Sequence, residues 1–501
     1  MSSLVNRYSS KLISNIISIG VGILTMMIIP RYLGPALYGI YELVNVNILA
    51  IISMANFGVN YAFISKIAKR PSDMGLVRVY VKFMALSATA VCLVLYILIA
   101  LGWFSEMLDY GYSILFLGLI FSILTGWQSI TREINDAYSL TVSSEKIIIF
   151  FKAFGFALLL ILVFTDYIGI LSVYMMNIFV LTAVLILLIR SLIKNYTKNF
   201  RESKFQSSTK HVIREFWIYS RPLLIVSILT GSVTIYERGI LEKFSGTIEQ
   251  GYFSIGLRLG SVLLIFASAL TPLLLREVAY DSGKGNYGKA LKLLTSSLKG
   301  MSFLVSVGAI FLSAYSFQII DLIYGAQYHE SAMILSIMAF YPIYQVYGQY
   351  TEAYLLASGE TKVIQDVTKW QVLITIILTW FFIAPAHFYG LGMNGLGLAL
   401  STVISTIFAV SFRVFKISKL IDLSKASLVL HQVIIIGSLF FLVKTLKFAV
   451  SHFYENHIFF VLIIYLASIF MIIRIRPVFL FATGIEFEDF MTNMKKLINK
   501  K

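Results

Sequence analysis

The chain has 501 residues, of which 58% are hydrophobic and 13% charged, where a soluble globular domain carries roughly 45–50% and 25%. A mean hydropathy of +0.84 cannot be hidden in cores of ordinary size, which excludes a soluble protein and predicts an all-α polytopic membrane protein. The formal charge of +16, from 41 Lys and Arg against 25 Asp and Glu, reads as basic loops that set orientation and meet anionic membrane lipids rather than as a nucleic-acid surface.

Residues 1–10 are polar and lead into an apolar run with no small-residue cleavage site, so the first span is expected to stay attached. Apolar windows near twenty residues, enough to cross about 30 Å of hydrocarbon as helix, fall at 11–29, 36–61, 79–103, 112–131, 147–165, 168–189, 216–236, 251–275, 293–315, 331–357, 364–384, 391–412, 427–448 and 457–473. They predict about 14 transmembrane helices. With the N-terminus inside, 34 Lys and Arg fall on inner segments and 5 (Arg31, Arg238, Lys243, Lys444, Lys447) on outer ones, with Arg221 and Arg258 inside spans. That asymmetry puts both termini in the cytoplasm. The outer loops are short, the largest near 237–250 and 317–330, so no soluble domain is expected and any chemistry falls in or between helices.

The longest polar break, 190–215, suggests an N-terminal lobe of six helices (1–192) and a basic cytoplasmic linker (193–215). A C-terminal lobe of six (216–415), two extra helices (416–476) and a cytoplasmic tail (477–501) follow. An internal repeat supports the division. Tyr32-Leu-Gly34-Pro-Ala-Leu-Tyr-Gly39-Ile-Tyr41 lines up with Phe244-Ser-Gly246-Thr-Ile-Glu-Gln-Gly251-Tyr-Phe253 at a constant offset of 212. Parallel repeats of this kind build transporters with a site between them.

A charge in hydrocarbon costs about 2.5–3.5 kcal/mol on insertion scales, so polar residues within spans face water or a partner. In the second span Glu42, Asn45, Ser53, Asn56 and Asn60 fall roughly on one helix side, and in the eighth Ser254, Arg258, Ser261 and Ser268 do the same. Adding the offset to Glu42 and Asn56 gives Ser254 and Ser268, so the stripes correspond. Arg258 is the leading ligand residue, because a guanidinium in a site of low dielectric holds phosphate by paired charge-assisted bonds. A structural ion pair with Glu42 or Glu352 is the alternative. In the tenth span Tyr341, Gln345, Gln349 and Glu352 form an aromatic and amide face suited to sugar hydroxyls, and equally to helix packing. Glu42 and Glu352 are also the candidate ion-coupling carboxylates. Arg132 and Asp136 are expected to pair across one turn, Lys152 to snorkel to the inner surface, and Arg221-Pro222 and Pro272 to seat or kink their helices.

Cys92 is the only cysteine, which excludes an internal disulfide and a thiolate cluster. His452 and His457 do not share a helix face, and Glu486, Glu488 and Asp489 read as an amphipathic surface segment, so no metal site and no cofactor are expected. The sequence carries no Walker A, GxSxG or HExxH motif, so neither ATP hydrolysis nor another catalytic site is expected.

Pro30-Arg-Tyr-Leu-Gly-Pro-Ala-Leu-Tyr-Gly-Ile-Tyr41, Asn56-Phe-Gly58, Ile64-Ser-Lys-Ile-Ala68, Gly251-Tyr-Phe-Ser-Ile-Gly-Leu-Arg-Leu259, Tyr324-Gly-Ala-Gln-Tyr328 and Ala357-Ser-Gly-Glu-Thr-Lys362 together resemble one family. It is the Wzx-type O-antigen and polysaccharide repeat-unit flippases of the multidrug/oligosaccharidyl-lipid/polysaccharide (MOP) exporter superfamily. The resemblance implies two six-helix lobes forming a V-shaped cationic cavity, with two extra helices beside it. It implies an undecaprenyl-diphosphate-linked oligosaccharide turned from the cytoplasmic to the outer leaflet of the bacterial inner membrane by alternating access, with a polymerase and a chain-length regulator as partners. The family's cavity arginine matches Arg258. Only Arg221 joins it within the spans, so this cavity is less cationic than in some relatives. A drug or cation exporter and a peptidoglycan-precursor flippase share the fold and stay open. A membrane glycan polymerase or glycosyltransferase needs a sizeable catalytic outer loop, which this chain lacks.

Overall fold

The computed structural model describes residues 4–70, 73–100, 111–137, 140–199, 207–283, 287–358, 360–420, 425–451 and 458–483. These are helical almost throughout, with no strand among them, as hydrocarbon demands of a backbone that must satisfy its own hydrogen bonds. Large apolar side chains such as Leu86, Phe164, Phe441 and Phe448 point outward, which is the inverse of a soluble surface.

The chain divides into two compact units, Met1–Gly251 and Tyr252–Lys501. The first holds α1 (Leu4–Asn56), α2 (Val59–Lys69), α3 (Met74–Ala100), α4 (Tyr112–Ala137), α5 (Thr141–Phe164), α6 (Ile170–Asn199) and most of α7 (Thr209–Ser261). The second holds the end of α7, α8 (Leu264–Gly283), α9 (Tyr287–Ala314), α10 (Ser316–Tyr324), α11 (Ser331–Met338), α12 (Tyr341–Ser358), α13 (Thr361–Ile383), α14 (Asn394–Leu420), α15 (Lys425–Ser451), α16 (Ile458–Ile473) and α17 (Arg476–Thr483).

Among the described residues ten helices are long and apolar enough to cross a membrane, or eleven if the bent pair Phe459–Met471 and Arg476–Thr483 counts as one. That is fewer than the fourteen hydropathy windows. Two of the ten, Gly20–Asn56 and Leu223–Ser261, are each a pair of helices joined at a glycine. The joints are Gly34 (φ 73°, ψ 168°) in α1 and Gly246 (φ 79°, ψ 179°) in α7, a left-handed region that only glycine occupies without strain. They are equivalent positions of the repeat, so the same backbone break recurs in both copies.

The repeat also closes on itself. A Cβ added at Gly39 would lie 1.9 Å from the Thr247 carbonyl oxygen, and one at Gly251 would lie 2.2 Å from that of Pro35. Pro35 and Thr247 are themselves equivalent, so the two copies cross backbone to backbone in a reciprocal contact that small residues four apart make possible. The expected outer loop at 237–250 does not exist. Its polar residues lie on a helix that continues to the Gly246 joint, where Arg238 is buried and donates to Gln250 Oε1 at 3.1 Å, while Gln250 Nε2 donates back to the Arg238 carbonyl. The expected loop at 317–330 is likewise largely taken up by α10 and a 3₁₀ turn at Ala326–Tyr328. Pro222 and Pro272 sit inside α7 and α8 without interrupting them, and the break after α7 falls at 262–263.

Candidate functional site

In the first unit the polar stripe of α1 is buried near the glycine joint and accessible farther along. Glu42 and Asn45 are 3% and 5% exposed, whereas Ser53 is exposed and Asn56 and Asn60 are half-buried. Tyr174 of α6 donates to Asn45 Oδ1 at 3.0 Å and stacks at an angle on Tyr41, whose hydroxyl accepts from Asn177 at 3.5 Å. Gly118 of α4 lets this floor close, since a Cβ there would lie 2.5 Å from Val44. Asn45 is therefore occupied by the protein itself. Asn56 Oδ1 is buried without a hydrogen-bond partner, an uncompensated acceptor of a kind that buried polar groups seldom leave. Arg221 is exposed on α7.

The second unit repeats the gradient. Ser254 is 1% exposed, Arg258 and Ser261 are half-buried, and Ser268 is exposed. On α12, Tyr341, Gln345 and Gln349 are half-buried, and Gln349 Oε1 accepts from Thr271 of α8 at 3.3 Å. Glu352 pairs with Arg413 of α14 at 3.4 Å, so its ion pair is with a residue the sequence places in an inner loop. Arg413 is 6% exposed and donates from the same nitrogen to the Gly348 carbonyl at 2.7 Å. Hydropathy ends the span one residue before it, and the only signal against a loop is its setting in Phe412-Arg-Val-Phe415. A polar seam thus runs along α12, with hydroxyl, amide, carboxylate and guanidinium groups in reach of one another. Groups of these kinds suit hydrogen bonding and ion pairing.

Other polar residues are tied down. Arg132 donates to Glu145 of α5 from Nε at 3.2 Å, and the buried Glu145 carboxylate so finds its partner across the helix boundary; the side chain of Asp136, its expected partner, lies outside the described residues. Lys152 lies within α5, past Glu145 on the same face. At the ends of α2 and α7 an ionic clasp forms. Arg70 pairs with Glu215, Lys66 and His211 approach Glu215 at 3.9 and 3.5 Å, and buried Asp73 accepts from the backbone amides of Ser207 and Gly75. Burial alone would raise the Asp73 carboxyl, but the Ser207 and Gly75 bonds and the Arg70 charge outweigh it and hold it below its ordinary value. Glu215 is likewise lowered, its burial outweighed by Arg70, Lys66 and His211. The tail group Glu486, Glu488 and Asp489 and the pair His452 and His457 lie outside the described residues.

The second unit also holds an apolar cavity of about 560 Å³, lined by Phe303, Ile435, Leu439, Ile469, Val478 and Phe481 among others, from α9, α15, α16 and α17.

Residues 4–274, more than half of the chain, match the family described as polysaccharide biosynthesis protein. No curated protein matches in sequence. In fold, the chain is similar to the lipid II flippase MurJ in an inward closed conformation, at 18% identity and a TM-score of 0.62 over 93% of this chain and 98% of that one. It is similar to an inward-facing multidrug resistance transporter of the MATE family, at 12% identity and a TM-score of 0.61 over 81% and 95%. A MOP superfamily transporter from Pyrococcus furiosus gives 14% identity and a TM-score of 0.59 over 82% and 95%. These likenesses speak to architecture, and the sequence match speaks to kinship: the chain is a multi-pass membrane protein of the polysaccharide biosynthesis family, with the MATE- and MurJ-like fold of the MOP exporters.

Proposed function

We propose that the protein is a flippase for an undecaprenyl-diphosphate-linked oligosaccharide, an O-antigen or similar surface polysaccharide repeat unit. It carries this cargo from the cytoplasmic to the outer leaflet of the bacterial inner membrane by alternating access, with both termini cytoplasmic. The observation that carries the reading is the matched pair of polar stripes, one in each unit, each sealed at the glycine joint and accessible at its other end, in a family tied to polysaccharide biosynthesis. A sugar headgroup cannot cross hydrocarbon unaided, since each hydroxyl would lose its water partners at several kcal/mol apiece. Half-buried Asn60, Ser261, Tyr341, Gln345 and Gln349 supply replacement partners, Arg258 meets the diphosphate, and Arg221 draws the anionic headgroup in. The apolar cavity beside α15 to α17 suits a prenyl chain.

Deletion of the gene is expected to abolish surface polysaccharide and re-expression to restore it; intact polysaccharide in the deletion strain rejects the reading. The fold of the lipid II flippase favours a second cargo, a peptidoglycan precursor. That reading predicts loss of viability with accumulated precursor and unchanged surface polysaccharide in survivors.

A further inference from the structure

Arg413 is held by one nitrogen only. Nη1 donates both to the Gly348 carbonyl at 2.7 Å and to Glu352 Oε2 at 3.4 Å, while Nε is buried with no partner. The Nε/Nη2 edge is the one whose two parallel N–H groups fit a carboxylate or a phosphate, and on a side chain 8% accessible an unused donor there is costly. Glu352 is the contrasting partner. Its contact is long, and its side chain is 40% accessible, so it can leave without breaking a packed core. Gln345 and Gln349 flank the pair on the same face of α12.

We infer that Arg413 and Glu352 form an oxyanion-exchange position in the second unit, in which an anionic group of the cargo takes the Nε/Nη2 edge of Arg413 and Glu352, the competing carboxylate on Nη1, gives way to it. The occupant is an oxyanion of the cargo, either its diphosphate or a carboxylate of an acidic sugar. This deepens the flippase reading and rests on it for the identity of the occupant.

The test is isothermal titration of the purified full chain in lipid nanodiscs with inorganic pyrophosphate and with glucuronate as separate probes, and glucose as the neutral control. Removing the competing charge in Glu352→Gln is expected to tighten binding of at least one anion about tenfold, and Arg413→Gln to weaken it by at least about tenfold. Arg413→Lys is expected to fall between the parent and Arg413→Gln, since lysine lacks the two-donor edge. Tightening for pyrophosphate alone assigns the position to a diphosphate, and for glucuronate alone to an acidic sugar. Should Arg413→Gln not accumulate, Arg413→Met combined with Glu352→Leu replaces the pair by apolar bulk that membranes and cores accept. Parental binding of both anions in Arg413→Gln, or in the Arg413→Met and Glu352→Leu double variant, overturns the inference, as does an unchanged affinity for both in Glu352→Gln. Because binding is read on purified protein, it stands apart from the polysaccharide phenotype of the deletion strain.

Discussion

At the scale of single residues, the side chains divide into those the protein consumes and those it leaves accessible. Asn45 belongs to the first group. Its oxygen takes the Tyr174 hydroxyl, so Tyr174→Phe leaves a buried acceptor without a donor and is expected to cost about 1–3 kcal/mol, read as a lower thermal midpoint with export largely retained above it. Arg258, on the matching stripe of the second unit, is half-buried. Arg258→Ala is expected to depress export while membrane abundance stays near that of the parent, and Arg258→Lys to rescue in part; unchanged export in Arg258→Ala removes that residue from the mechanism. The stripes on α1 and α7 were legible because polar residues at helical spacing stand out in an apolar run. Arg413 was not, because a cation at the end of a hydropathy window looks like a positive-inside residue, and only α12 packed against α14 reveals its partner.

Among elements, the repeat was the most informative reading of the sequence, since Gly34 and Gly246 recur with one backbone geometry and Gly39 and Gly251 make reciprocal contacts. The polar run 237–250 misled for a physical reason. Its charges are partnered along α7, as Arg238 and Gln250 are, and a hydropathy average cannot see partners. Gly39→Ala or Gly251→Ala puts a methyl carbon well inside van der Waals contact distance of a backbone oxygen and is expected to destabilise by about 1–3 kcal/mol or more, visible as lower abundance and thermal midpoint. Gly239→Ala, with nothing within 4 Å of its Cβ, is the control expected to show neither.

The clasp at the ends of α2 and α7 predicts a pH dependence. Asp73 and Glu215 are lowered from ordinary values of 3.8 and 4.5. Their contribution is therefore complete above those values and is lost as pH falls through and below them. Thermal unfolding in detergent is expected to lose midpoint on acidification through about pH 4. Asp73→Asn should lower the midpoint at pH 7 and flatten that acid slope; an unchanged slope contradicts the role given to Asp73.

For the molecule as a whole, composition already dictated the solvent, and the order of apolar windows anticipated helices throughout. The count of spans was harder to read, because helices joined at Gly34 and Gly246 run on without a loop, and because 331–357 is broken at 339–340 into α11 and α12. The long-range pairings, Glu352 with Arg413 and Asp73 with Ser207, join residues far apart in the chain, which no periodicity encodes. The proposed function depends on a sugar head crossing while its prenyl anchor stays in apolar surroundings, and the most direct measurement is leaflet position. In spheroplasts from cells depleted of the protein, a membrane-impermeant reagent that oxidises sugars should leave the accumulated lipid-linked oligosaccharide unmodified, with modification returning on re-expression. A pool modified to the same fraction with and without the protein would contradict the account.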